Sequence, residues 1–279
     1  MTGVGGDLAA TRFDRLIAFG DSLTDDGHGF DRYTNGPVWV DYLAAGLAIP
    51  TVDNRAWGGA MTGYGNARAL DWSGLGWQVD QFAPTPDLAT TLFTVWIGTN
   101  DIYDGDADVA VSVGNVKHAL DGLAAKGARH LMVVSLPDIT LAPAYRAGTQ
   151  HIADTGRVRK LVEEFNRALG VALTGSDDGF VARHPEVELY RVDAHALFDR
   201  IARDGTFQNT TEPWLGTHQC PEPNGHMWWD EWHPMTEVHR RVATEAAAAL
   251  GRLRTLPPVR ITDSIEHPPS PAWRGSAGR

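Results

Sequence analysis

Leu16-Ile17-Ala18-Phe19-Gly20-Asp21-Ser22-Leu23 sets four consecutive apolar residues against a turn of glycine and small polar residues. A short unbroken apolar run reads as a strand buried on both faces of a parallel sheet, which makes the residues after it a strand-end loop. The same pattern recurs where Leu92 to Ile97 runs into Gly98-Thr99-Asn100-Asp101, and again at Leu131 to Val134. Val187 to Val192 reads as a further strand and Thr51 to Asp53 as a weaker one. Helical periodicity fills the intervals at Val38 to Leu47, Ala107 to Ala125, Val158 to Leu173 and Thr236 to Leu253. Strands alternating with helices predict a layered α/β domain around a central parallel sheet. In such sheets ligands bind beyond the carboxyl ends of the strands, so the segments after Phe19, Asp53 and Ile97 are expected to converge on one pocket.

The rest of the chain sets bounds on this picture. With 43% hydrophobic and 21% charged residues among 279, the composition is that of a globular protein with a substantial core. No repeat or linker interrupts residues 1–256, which are expected to form one domain. Residues 257–279, with Pro257, Pro258, Pro268, Pro269 and Pro271, read as a poorly packed tail. A formal net charge of −11 excludes the clustered basic surface that nucleic acid requires. The single cysteine, Cys220, cannot form an intrachain disulfide and reads as an inert small residue. No apolar run approaches the roughly 20 residues that span a bilayer. The first fifteen residues lack the apolar centre of a signal peptide, so a cytoplasmic start is expected, with secretion left open. Thr206 to Trp229 lacks periodicity and reads as one long functional loop.

Acyl transfer by a serine needs a base within hydrogen-bonding reach and a third group that orients the base. Ser22, His233 and Asp230 can fill those roles. Gly20 allows a tight exit from the strand before Ser22. Asp230 and His233 are three residues apart in Trp228-Trp229-Asp230-Glu231-Trp232-His233-Pro234, close enough for one turn to join carboxylate and imidazole. Pro234 suits the first turn of the following helix. A tetrahedral intermediate also needs donors for its oxyanion; the amides of Ser22 and Gly59 and the side chain of Asn100 are the candidates. No cofactor or metal is implied by this chemistry.

Gly20-Asp21-Ser22-Leu23, Asn54 with Gly58-Gly59-Ala60, Gly98-Thr99-Asn100-Asp101 and Asp230-Glu231-Trp232-His233-Pro234 resemble, in order and spacing, the four blocks of the GDSL (SGNH) hydrolases. Asn35-Gly36-Pro37-Val38-Trp39-Val40, the Pro137 loop, Phe165-Asn166 and Val192-Asp193 extend the resemblance from about Phe13 to about Leu250. One GDSL string is a weak signal; four blocks in order are a strong one. The resemblance implies a three-layer α/β/α flavodoxin-like fold and a serine esterase or lipase-like acylhydrolase. It also implies a Ser22–His233–Asp230 triad and an oxyanion hole of the Ser22 amide, the Gly59 amide and the Asn100 side chain, with Gly59 preferred to Gly58 by its count from Asn54. The expected partner is a small-molecule or lipid acyl ester. Asp25-Asp26-Gly27-His28 departs from the family pattern, where an asparagine often follows the glycine.

Plainer roles stand beside these. Asn100-Asp101 can act as a helix cap or Asx turn, and Gly58-Gly59 as a simple turn. Trp214, Trp228, Trp229 and Trp232 either wall an acyl pocket or pack the long loop onto the sheet. His226, Asp230 and His233 lack a recognisable zinc spacing. His151, His195, His218 and His239 read as surface or core residues rather than ligands. Ser112, inside a helical segment, is no nucleophile despite the near elbow at Ala110 to Gly114. An acyltransferase using the same triad, a non-catalytic binding protein and a metal-dependent hydrolase are the rival readings.

Overall fold

A computed structural model describes residues 13–28, 32–146, 149, 151, 153–175, 178–215 and 225–251. Cys220, His218 and the Pro-rich tail lie outside the described residues. Five strands form one parallel sheet: β1 (Arg15–Gly20), β2 (Thr51–Asn54), β3 (Thr91–Trp96), β4 (His130–Val134) and β5 (Glu188–Val192), in the order β2-β1-β3-β4-β5. This is the flavodoxin order, with the reversal of winding between β1 and β3. Leu16, Ala18, Phe19, Leu92, Phe93, Leu131 and Met132 are fully buried, as unbroken apolar runs require when helices cover both faces.

The longer helices are α1 (Trp39–Leu47), α2 (Leu75–Gln81), α4 (Val109–Ala125), α5 (Thr155–Thr174), α7 (Ala194–Arg203) and α8 (Thr236–Ala249), with single turns α3 (Thr99–Ile102) and α6 (Phe180–Arg183). Helix α1 packs on α8, which packs on α7; α2 packs on α4, which packs on α5. The result is helices, sheet and helices in three layers, as expected.

Caps explain where expected and observed ends differ. Asp108 accepts the amides of Ala110 and Val111, so α4 starts at Val109 rather than Ala107. Asp154 accepts those of Gly156 and Arg157, so α5 starts at Thr155, three residues ahead of its first apolar contact. Helix α8 stops at Ala249, where Leu250 leaves the helix and Gly251 adopts φ +70°, short of the expected Leu253. The single long loop expected between Thr206 and Trp229 is corrected by two strands, β6 (Asn209–Pro213) and β7 (His226–Trp228), which pair in parallel. Both are too short, and β6 too polar, to show as strands in sequence. Among the described residues no helix is long and apolar enough to cross a membrane.

Candidate active site

Strand β1 delivers Ser22 to the point where the sheet reverses its winding. Gly20 is needed there: a Cβ on it would sit 2.5 Å from the carbonyl oxygen of Trp96 on β3 and 2.9 Å from Thr24 Oγ1. A buried glutamine secures the same turn. Gln78 on α2 accepts from the Gly20 amide at 3.0 Å, and its Nε2 donates to the carbonyls of Gly20 at 2.8 Å and Ser73 at 2.8 Å. Periodicity alone could not flag Gln78, because it occupies a buried position of an amphipathic helix.

Ser22 and His233 meet across 211 positions of chain, Ser22 Oγ standing 2.9 Å from His233 Nε2. His233 Nδ1 lies 2.8 Å from Asp230 Oδ2 and 2.9 Å from Oδ1. The ring proton is assigned to Nδ1, which faces a carboxylate, leaving Nε2 to accept the serine proton. Asp230 Oδ1 also accepts the amides of Trp232 and His233, each at 2.7 Å, so the turn itself orients the acid. Burial works to raise the Asp230 pKa. The charge and ring N–H of His233 and the two amides outweigh it and hold the carboxyl below its ordinary value. Tyr33 closes the outer face of the imidazole, its ring centroid 4.8 Å away.

Three donors face the same cavity as Ser22. The cavity measures about 650 Å³ and is lined by Ser22, Gly59, Asn100 and His233 among others. Among the described residues the amides of Ser22 and Gly59 donate to no protein acceptor, whereas that of Gly58 donates to Asp25 Oδ2 at 2.7 Å. The geometry thus separates two glycines that the sequence leaves nearly equivalent. Gly59 has φ +81°, and a Cβ there would sit 2.5 Å from Asn66 Oδ1. Asn100 Nδ2 spends one proton on the Ala60 carbonyl at 3.0 Å and has a second to offer.

Behind these groups lies a buried polar frame. Asp25 accepts from the amides of Gly27 at 2.9 Å and His28 at 3.3 Å, besides that of Gly58. Asp101 accepts from the Thr62 amide at 3.0 Å and its hydroxyl at 2.5 Å, tying the Asn100 turn to the Gly59 loop. Asn54 donates to the Thr24 carbonyl at 2.7 Å. Asn66 donates to the Gly58 carbonyl and Ser73 Oγ, both at 2.9 Å. Asp21 is completely buried and accepts from Thr99 Oγ1 at 2.6 Å and the Leu23 amide at 3.0 Å; burial pushes its pKa up to about 6. Of these, Asp25, Asn66 and Gln78 were not singled out as site residues from sequence.

The facing wall is aromatic. Tyr103, His151 and Trp232 line the cavity with Pro137, Ile139 and Ala142. Tyr145 and His151 meet Trp232 edge-on at 5.6 and 4.8 Å, and His151 stacks on Tyr103. The four tryptophans divide: Trp228 and Trp232 line the cavity, while Trp214 and Trp229 stack on each other at 5.1 Å. Both roles considered for them are therefore present. His151, expected at the surface or in the core, is a pocket residue.

The remaining polar candidates fall elsewhere. His226 turns Nδ1 to the Glu212 carbonyl at 3.2 Å, away from the Asp230–His233 pair. His239 is fully buried, and desolvation drives its pKa down to about 3. His195 borders a second cavity beside β5. Ser112 donates back along α4 to the Asp108 carbonyl at 3.1 Å. Among the described residues, the ligand-type groups that cluster within 4.8 Å are Asp25, Asp26 and His28. The Asp25 oxygens are already engaged by three amides.

Known proteins carry the same layout. Thermolabile hemolysin of Vibrio parahaemolyticus is 28% identical over 274 residues, spanning 83% of this chain and 62% of that protein, so the chain matches less than two thirds of this relative's length. Phosphatidylcholine-sterol acyltransferase of Aeromonas hydrophila is 23% identical over 305 residues, spanning 84% and 89%. In fold, the chain is similar to a carbohydrate acetylesterase from Sinorhizobium meliloti, at a TM-score of 0.53 and 16% identity over 85% of this chain and 98% of that one. The model of GDSL-like lipase/acylhydrolases matches residues 16–246, most of the chain, and the protein belongs to that family.

Proposed function

We propose that the protein is a serine-dependent carboxylic ester hydrolase that works through an acyl-enzyme on Ser22. The observation that carries this reading is the continuous relay from Ser22 Oγ to His233 Nε2 at 2.9 Å and from His233 Nδ1 to Asp230 at 2.8 Å, opening on a cavity with uncommitted amide donors. Ser22 Oγ attacks the ester carbonyl as His233 Nε2 takes its proton. Asp230 holds the ring and stabilises the imidazolium. The carbonyl oxygen, now an oxyanion, is received by the amides of Ser22 and Gly59 and by Asn100 Nδ2. His233 returns its proton to the departing alcohol, leaving the acyl group on Ser22. Water, deprotonated by His233, then attacks the acyl-enzyme and releases the acid.

An alcohol in place of that water gives acyl transfer. The second reading has one specific support: the Aeromonas relative, covered over 89% of its length, is named an acyltransferase. Chromogenic acyl esters from acetate to palmitate, offered to the wild type and to Ser22→Ala, test the main reading. Hydrolysis that disappears in the variant is the expected result; activity indifferent to Ser22 overturns it. Adding an alcohol acceptor and measuring the ratio of ester to acid formed separates transfer from hydrolysis.

A further inference from the structure

The walls of the Ser22 cavity differ in charge as well as in polarity. Its lining includes one guanidinium, Arg68, on the side of Tyr33, Gly59 and Ala67. Glu231 lines the cavity too, but its backbone carbonyl accepts from Ala144, which places it with the Ile139–Tyr145 segment of the opposite wall. Among the described residues Arg68 has no carboxylate partner within ion-pair distance, although the chain carries a net charge of −11. An arginine in an acidic protein that is held at a pocket mouth without an acidic partner is a receptor for an anion.

Three contacts hold it in place. The Arg68 amide donates to Asn66 Oδ1 at 2.9 Å, and Asn66 is itself buried and bonded to Gly58 and Ser73. Arg68 Nη2 donates to the Tyr33 hydroxyl at 2.6 Å, with the guanidinium carbon 5.8 Å from the Tyr33 ring centre. The Tyr33 ring lies against His233 on one side, and its hydroxyl reaches over Gly58, where any Cβ would collide with it. One nitrogen of the guanidinium is thus spent on Tyr33, and the other N–H groups stay open for a planar or tetrahedral oxyanion.

His233 gives the chain of residues a direction. It returns the proton to the leaving alcohol, so the alcohol occupies the His233 side of the cavity. Tyr33 and Arg68 are on that side. The acyl group falls to the ring-lined wall, because Tyr103 follows Asn100 by one helical turn and continues into Ile139, Ala142 and Trp232. We propose that Arg68, seated on Tyr33, is a specificity residue that binds an anionic oxygen group, carboxylate or phosphodiester, carried by the alcohol half of the ester.

The proposal rests on the ester-hydrolase reading for its orientation, and its test does not depend on turnover. Ser22→Ala, which cannot form the acyl-enzyme, is titrated with 4-acetoxybenzoate and with its methyl ester, two ligands alike except for the charge. The same pair is repeated in Ser22→Ala combined with Arg68→Gln or Arg68→Lys. Preference for the anion that falls at least tenfold in Arg68→Gln and is partly kept in Arg68→Lys is the expected result. An anion preference equal in the Arg68→Gln and parent proteins overturns it. Arg68 is exposed, and the thermal midpoint of each variant reports that the fold is retained. Short dihexanoyl phosphatidylglycerol against dihexanoylglycerol forms the second arm. A larger Arg68-dependent ratio there assigns the anion to a lipid headgroup, a larger one in the benzoate pair assigns it to an acidic alcohol, and none in either overturns the proposal. Binding preference without hydrolysis by the wild type would support the anion site while sinking the esterase reading.

Discussion

The two walls of the Ser22 cavity are built on different physics. On the side of Gly59 and Asn100, each supporting side chain is buried and joins separate segments: Gln78 to Gly20, Asp25 to Gly58, Asn66 to Gly58 and Ser73, Asp101 to Thr62. On the other side Tyr103, Tyr145, His151 and Trp232 meet through ring edges and faces. Hydrogen bonds fix angles as well as distances, and a buried group that loses its partner is costly. Ring packing sets a volume and tolerates exchange of one apolar group for another of similar size. The first wall therefore governs rate, and the second governs which acyl group is accepted.

The sharpest way to break this division is at Asp230. Asp230→Asn keeps the size of the side chain but permits the wrong imidazole tautomer, and a fall in kcat of about 10⁴ is expected. Steady-state kinetics on a short acyl ester, with the thermal midpoint as a fold control, measures it. Asn100→Ala comes next. Loss of one oxyanion donor costs about 10²–10³ in kcat with little change in KM. If Asn100→Ala cost no more than a substitution in the ring wall, the division of labour would be wrong.

Sequence and structure agree where the signal is local. The unbroken apolar runs, the turns after Phe19 and Ile97, and the Asp230–His233 spacing are properties of neighbouring residues, and each is present as expected. The frame behind them is long-range: Asp25 reaches 33 positions to Gly58, Gln78 reaches 58 to Gly20 and Asp101 reaches 39 to Thr62. No periodicity marks such residues, because each satisfies a backbone group that the fold brings from elsewhere. Helix α7 is a different case, since Asp193 accepts the Ala196 amide as an N-cap and Leu197, Phe198 and Ile201 form a buried stripe. Its signal is local and was readable. Strand β6 has no apolar stripe, and β7 spans three residues.

Two carboxylates of the polar wall sharpen the comparison through pH. Asp25 is buried, which pushes its pKa up, but the His28 ring and the amides of Gly27, Gly58 and His28 prevail and hold it below the ordinary value. Its stabilising contribution is present above the unfolded pKa and lost as pH falls through the folded one. Asp21 is the reverse. With its pKa raised to about 6 by burial, it favours the fold when protonated, and that contribution fades as pH rises from the unfolded value of 3.8 through about 6. Asp25→Asn is therefore expected to lose stability relative to the wild type as pH rises away from acid, and to lower kcat by roughly tenfold as the Gly58-Gly59 turn loosens. Asp21→Asn is expected to gain relative stability over pH 4 to 7, its amide oxygen still accepting from Leu23 and its NH₂ group meeting a Thr99 hydroxyl free to turn. Urea melts at pH 4.5, 6 and 7.5 give both signs. Parallel pH responses in the two variants would mean that the frame does not distinguish its acids.

The smallest effect belongs to the ring wall, and it is a change of preference. Trp232 touches Tyr103, Tyr145 and His151 and lines the cavity, while its backbone amide, not its ring, serves Asp230. Trp232→Leu keeps that amide and enlarges the space, so longer acyl chains gain relative to acetate, by less than tenfold in kcat/KM, since an added methylene in an apolar pocket is worth about 1–3 kcal/mol at most. The profile from acetate to palmitate measures the shift. A uniform fall at every chain length would instead assign Trp232 to the support of His233, and the ring wall would then share the work of the polar one.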